Sequence, residues 1–412
     1  MTRAGPARWP GLPLTRESSA MEKTKLIECT ARSAKIQPFY VMELLEKAQA
    51  LEARGEKVIH MEIGEPDFTT PLAIREAGVR AMEEGHTFYT HSLGLPELRE
   101  RISAYYAESH RLSVPAGRII VTSGTSGAFF LLCAVLLERG RNFLISDPGY
   151  PCYRNFGVLF DAHVVPLPVS EASRFEITPA QVEACGTTSH LLMLCSPANP
   201  TGAVYEGESL GGLFGVVSKK GGIMAVDEIY SGLTYDRKYL SALAVSDEIV
   251  VIDGFSNTYA MTGWRLGWMV VPQPLVRPIQ RVAQNVFISA PTVAQYAALA
   301  AFDVATELEA MKKTYRERRA FLFPRLKQLG FELPLWPEGA FYIYAGIEKW
   351  QMDSMEFVER ALVEAKVAIT PGYDFGAHRA GSHVRFSFAN GIENLKEGCE
   401  RLEAWLTKVD KS

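Results

Sequence analysis

Asp227 closes the apolar run "GIMAV" and is followed three residues later by Tyr230, while Asn199 lies in "SPANPTG" after another apolar run. Polar groups at strand ends can meet on one ligand, because open α/β sheets bind their ligands beyond the carboxyl ends of the strands. In "VTSGTSGAFFLL", Gly124 permits a tight turn, and Thr125 and Ser126 open a predicted helix whose N-terminus favours an anion. Arg265 in "GWRLG" adds the positive charge that a phosphate needs, and Ser256 can add a hydroxyl. Arg385 in "HVRFSFA" is flanked by apolar and aromatic residues, so its guanidinium requires an acidic partner. A ligand carboxylate held by both arms satisfies it, as an internal ion pair also would. Taken singly these signals are weak. An aspartate after a strand more often caps a helix, and an asparagine before proline usually makes a turn.

Five short apolar runs, "RIIVT", "NFLIS", "HLLMLC", "GIMAV" and "EIVVI", alternate with helical patterns between about residues 115 and 255. Each leads directly into a loop rich in Gly, Pro, Ser, Asp or Asn. That alternation predicts an α/β fold with a mainly parallel, mixed sheet and helices on both faces. Past about residue 300 the pattern changes to charged amphipathic helices with two strand-like stretches, "AFYIYA" and "HVRFSFA". Leu395, Cys399, Leu402, Leu406 and Val409 fall on one face of the last helix. We expect a large domain over 66–299 and a smaller α+β domain built from 21–65 and 300–412. Residues 1–20, rich in Pro, Arg and Ser, read as a disordered extension, with Met21 an alternative start.

Two domains suit a chain of 412 residues with 47% hydrophobic and 22% charged residues. A formal charge of -4 without dense basic runs argues against a nucleic-acid partner. The longest apolar run, "FFLLCAVLL", is far short of the roughly 20 residues of a membrane span. Small-molecule ligands are expected. Six scattered cysteines lack C-x-x-C spacing and the eight histidines lack ligand spacing, which implies free thiols, a cytoplasmic location and no metal.

The order and separation of "NPTG" and "DEIY", the stretch "GFSNTYAMTGWRLGW" and the late "RFS" resemble the class I/II aminotransferases of fold type I, which use pyridoxal 5'-phosphate (PLP). The matching residues run from Gly64 to Arg385. The resemblance implies that Asp227 pairs with the ring nitrogen of PLP, since a protonated ring draws electrons from the substrate α-carbon. It assigns Tyr230 and Asn199 to the ring's phenolic oxygen and Tyr150 to its face. Gly124, Thr125, Ser126, Ser256 and Arg265 would hold the phosphate, with Tyr89 reaching across from a partner subunit of a homodimer. Gly64, Asn199 and Arg385 would hold the substrate carboxylate. Gly254 stands where the family often has a serine.

At the position of the family's cofactor lysine this chain has Asn257. An amide has no basic nitrogen near neutral pH and is a poor nucleophile, so it can neither hold the cofactor covalently nor shuttle a proton. Lys219 and Lys220 lie at the far end of the "GIMAV" strand. The reading is a PLP-dependent amino acid aminotransferase that acts on an amino acid and a 2-oxo acid and, as written, turns over poorly. A C–S lyase on the same frame and a non-catalytic PLP or amino acid binding protein are the alternatives. The stretch "AQNVFISAPT" has no arginine for a distal carboxylate, and Phe39 and Tyr40 offer apolar surface, which leans towards neutral or aromatic donors.

Overall fold

A computed structural model describes residues 29–186 and 190–410. The proposed extension over residues 1–20 lies outside the described residues. Seven strands, β1 (Ile119–Thr122), β2 (Asn142–Asp147), β3 (His163–Pro168), β4 (Leu191–Cys195), β5 (Ile223–Asp227), β6 (Val250–Gly254) and β7 (Gly267–Val270), form one sheet in the order β1-β7-β6-β5-β4-β2-β3. The pairings from β6 across to β3 are parallel, and β7 runs antiparallel to both β6 and β1. The sheet is therefore mainly parallel and mixed, as expected.

Each of the five apolar runs is a strand, because both faces of the sheet are covered: β1, β4 and β6 are buried at every position and β2 and β5 at most of theirs. Alternate residues feed opposite cores. Leu192, Leu194, Met224, Val226 and Val251 enter one, while Leu191, Met193, Ala225, Val250 and Ile252 enter the other. Two strands of this sheet escaped the sequence reading. β3, "HVVPLP", carries two prolines and little buried surface, both tolerated because it is an edge strand. β7 is only four residues long and starts inside the motif "GWRLG".

Register sets where the loops emerge. Cys195 lies beside Asp227 and Asp227 beside Ile252, so β4, β5 and β6 end nearly level and release their loops on one side.

A second sheet, β8 (Tyr342–Gly346), β9 (Thr370–Pro371) and β10 (His383–Ser387), is antiparallel in the order β9-β10-β8. It shares a third core with the helices Ala305–Leu329 and Ile392–Val409. The last helix buries Leu395, Cys399, Leu402 and Leu406, with Gly398 and Trp405 added and Val409 only partly covered. Ile59–His60 pairs in parallel with Val367–Ala368, which brings the early segment onto this part. The third core also takes Ile229, Tyr230, Leu233 and Tyr235 from the loops after β5. Arg318 forms a two-armed bond to Asp67 and Arg319 another to Asp236, fastening the long helix to the segment before the large sheet and to the loop after β5. No described helix is long and apolar enough to cross a membrane.

Candidate active site

Between the carboxyl ends of the large sheet and the smaller one lies a cavity of about 500 Å³. Gly64, Thr125, Ser126, Tyr150, Asn199, Asp227, Tyr230, Ser256, Asn257, Arg265 and Arg385 all line it. Of the nominated residues, Gly124 stands just behind the wall and Tyr89 does not reach the cavity of its own chain. Tyr89 is instead 76% exposed, next to Phe88 at 81%.

Part of the cavity wall offers groups that attract an anion. The helix Gly124–Leu136 starts directly after β1, and its first N–H groups have no partner within the helix. Gly124 has φ +67°, and a Cβ there would fall 2.6 Å from a terminal nitrogen of Arg265. The left-handed backbone favours glycine, and any side chain there would also displace the guanidinium. Arg265 is exposed, donates to the Thr262 carbonyl at 3.0 Å, and has no carboxylate partner among the described residues. Space also explains Gly254. A Cβ there would lie 3.2 Å from the Thr125 methyl and 3.1 Å from Ile229, so a serine would press on the wall.

Arg385, 4% exposed on β10, also lines the cavity. Its guanidinium donates to Asn199 Oδ1 at 3.0 Å, to the Glu62 carbonyl at 2.6 Å and to Thr370 Oγ1 at 3.2 Å. It lies 4.2 Å from the centre of the Tyr342 ring and 4.9 Å from that of Phe375. Every hydrogen-bond acceptor is neutral, and among the described residues no carboxylate lies in ion-pair range. The internal salt bridge that the sequence left open is absent there. A Cβ on Gly64 would come 3.0 Å from the Tyr342 hydroxyl, a tight contact, and 3.8 Å from Arg385, so the backbone here passes close to the guanidinium.

Asp227 also lines the cavity and is 2% exposed. Burial pushes its carboxyl up to about 7, against the pull of two donors, the Tyr153 hydroxyl at 2.5 Å and the Ile229 N–H at 3.2 Å. Tyr230 shares a hydrogen bond of 2.9 Å with Tyr342. The Asn257 side chain, 8% exposed, faces the cavity without a hydrogen bond to any described residue, and among those residues no lysine lines the cavity.

Over residues 56–402 the chain matches the family described as aminotransferase class I and II. It belongs to the class I and II aminotransferase family. The (5-formylfuran-3-yl)methyl phosphate transaminase of Methanocaldococcus jannaschii is 38% identical over 92% of this chain and 99% of that protein. An aspartate aminotransferase of Thermotoga maritima is 36% identical over 89% of this chain and 96% of its own. The crystal structure of an aminotransferase from Mycobacterium tuberculosis superposes with a TM-score of 0.90 at 33% identity, covering 92% of this chain and 99% of the other. The fold is fold type I and the cofactor of such aminotransferases is PLP.

PLP asks for an anion cradle, an acid for its ring nitrogen and an aromatic face. This aminotransferase chain has a candidate for each in one cavity: the Gly124 turn with Arg265, Asp227, and Tyr150. Tyr153, Tyr342, Glu62, Thr370 and Phe375 escaped the sequence reading. Tyr153 stands in the same "DPGYPCY" as Tyr150, and Tyr342 is the alternate residue of a strand, but neither position is marked by its own type. Of the two aromatic residues expected near the substrate, Phe39 lines the cavity and Tyr40 does not; the Tyr40 N–H bonds Asp374 at 2.7 Å instead.

Proposed function

We propose that this chain is built to move an amino group from a neutral or aromatic amino acid to a 2-oxo acid, and that Asn257 leaves it slow in doing so. One observation carries the reading. Arg265 and Arg385 are two guanidinium groups without carboxylate partners among the described residues, and they line one cavity together with the buried acid Asp227. Such a site suits a ligand pair with a phosphate at one end and a carboxylate at the other.

In this reading Gly124, Thr125, Ser126, Ser256 and Arg265 hold the phosphate of PLP, Asp227 faces its ring nitrogen, and Tyr150 covers the ring. Tyr230 and Asn199 serve its phenolic oxygen. Arg385, oriented by Asn199, takes the substrate carboxylate near Gly64. When bound, PLP supplies an electron-poor ring that weakens the bonds of the substrate α-carbon. Asn257 offers no base to remove the α-proton, and loss of general base catalysis alone costs roughly 100-fold to 10,000-fold.

Phe39, Val41, Met42 and Leu45 line the cavity beside Glu65, so a distal carboxylate would meet apolar groups and a like charge. This supports a neutral or aromatic donor. The exposure of Phe88 and Tyr89 supports a homodimer in which Tyr89 serves the partner's phosphate site. The separate cores support a large domain near 66–299 and a small one from the flanking segments, and six free cysteines support a cytoplasmic location.

The experiment is Asn257→Lys, assayed with a panel of amino donors and 2-oxo acids. Amino transfer at least 100-fold above the parent chain is expected. Ammonia and pyruvate release would make the chain a C–S lyase, silence would make it a binding protein, and strict use of aspartate would overturn the donor class.

A further inference from the structure

Behind the loop that carries Asn257 lies a second cavity of about 310 Å³, which shares no lining residue with the first. Four parts of the chain build it, around residues 105–110, 231–239, 258–259 and 305–312. Part of its wall is aromatic, and its lining cations, Arg237, Lys238 and Lys312, outnumber the acid Glu309. Tyr105 and His110 meet edge to face with centres 5.4 Å apart, and Tyr239 meets His110 at 6.4 Å. Burial pushes His110 down to about 4 beside Lys238, so its ring is neutral near pH 7.

Lys238 and Lys312 both line the cavity, and neither forms an ion pair with a described residue. Lys312 is partly buried, and that burial lowers its affinity for a proton, an effect that nearby Glu309 opposes and a bound anion would oppose further. Glu309 is the one acid on the wall, outside ion-pair range of Lys312, and Arg237 is already held by Glu206 and Glu338. The hydroxyl of Thr258 is buried with no hydrogen-bond partner. Thr258 also interlocks the loops of the first site. A Cβ on Gly232 would fall 2.3 Å from its methyl, so the segment after Tyr230 and the segment of Asn257 touch here.

We propose that this cavity binds a small aromatic carboxylate, with the carboxylate on Lys238 and Lys312, the ring against Tyr105, His110 and Tyr239, and a polar group on Thr258. Because Thr258 follows residue 257 directly, occupancy changes the affinity of the first site for PLP, and PLP changes the affinity of the second by the same factor. The binding half is independent of any reading of Asn257.

Calorimetric titration of the full chain with 4-hydroxybenzoate, in parallel with inorganic phosphate, tests it. One site per chain is expected for 4-hydroxybenzoate, weakened at least tenfold in Lys312→Gln and in Ser109→Trp, which fills the cavity from its rim, and unchanged in Arg385→Gln. Saturation with 4-hydroxybenzoate should shift the PLP dissociation constant at least fivefold. Binding lost in Arg385→Gln but kept in both cavity variants would assign the probe to the first site and overturn the proposal. So would absence of binding, or binding of phosphate alone. An unshifted PLP affinity would overturn the coupling.

Discussion

The Tyr153 hydroxyl donates to Asp227 Oδ2 at 2.5 Å, with both groups buried. Tyr153 belongs to the helix Pro151–Leu159 after β2 and Asp227 to the end of β5, so the bond joins two strand-end segments of the sheet. It favours the charged form of a carboxyl that burial pushes the other way. Hydrogen bonds to charged groups contribute roughly 1.5–3 kcal/mol. Tyr153→Phe should therefore weaken PLP binding about tenfold or more while circular dichroism stays unchanged. An unchanged dissociation constant, read from quenching of protein fluorescence, would reduce Tyr153 to packing.

Asp227 also sets a pH dependence. Its folded pKa, about 7, is raised above the ordinary carboxylate value, so the folded state binds the extra proton in between. The stability linked to it is fully present below about pH 4 and is lost as pH rises through about 7. Glu228, raised to about 8 by burial, adds a loss in the same direction. The cofactor-free chain should lose unfolding free energy between pH 5 and 8.5. Asp227→Asn should remove a part on the order of 3 kcal/mol. Urea midpoints at several pH values measure it, and parallel curves for the two proteins would refute the assignment.

Gly124→Ala tests the anion cradle. The residue has φ +67°, and the new methyl would meet Arg265. Left-handed backbone costs a non-glycine residue roughly 1–2 kcal/mol, and the guanidinium must also move. The melting temperature should fall by a few degrees, and the affinity for PLP should fall further than for Gly117→Ala, where no atom lies within 4 Å of the added Cβ. Equal PLP affinity in both variants would separate the turn from phosphate binding.

Arg385→Lys keeps the charge but loses the planar fork held between the Tyr342 and Phe375 rings. A two-armed contact to a carboxylate becomes a point contact. The amino acid concentration that half-saturates the PLP-loaded protein, followed by visible absorption, should rise at least tenfold with PLP affinity unaltered. A fall in PLP affinity instead would place Arg385 at the other end of the ligand.

The strands and the chemistry at their ends were legible in the sequence, because an all-buried strand must be a continuous apolar run and its loop must be small and polar. That reading singled out polar groups in "SGTSG", "SPANPTG", "DEIY" and "GWRLG" that the fold brings to one cavity. Strand β3 was hidden because an edge strand can carry prolines and leave most residues uncovered. Tyr153, Tyr342 and Thr370 were hidden for another reason: a buried tyrosine or threonine looks the same in a sequence whether it fills a core or bonds a functional group. Only the tertiary structure decided that Tyr153 faces Asp227, that Arg385 has neutral acceptors rather than an acid, and that the Asn257 amide faces a cavity with no lysine among its described lining residues. Those facts depend on distances between segments far apart in the chain, which residue types constrain but do not specify.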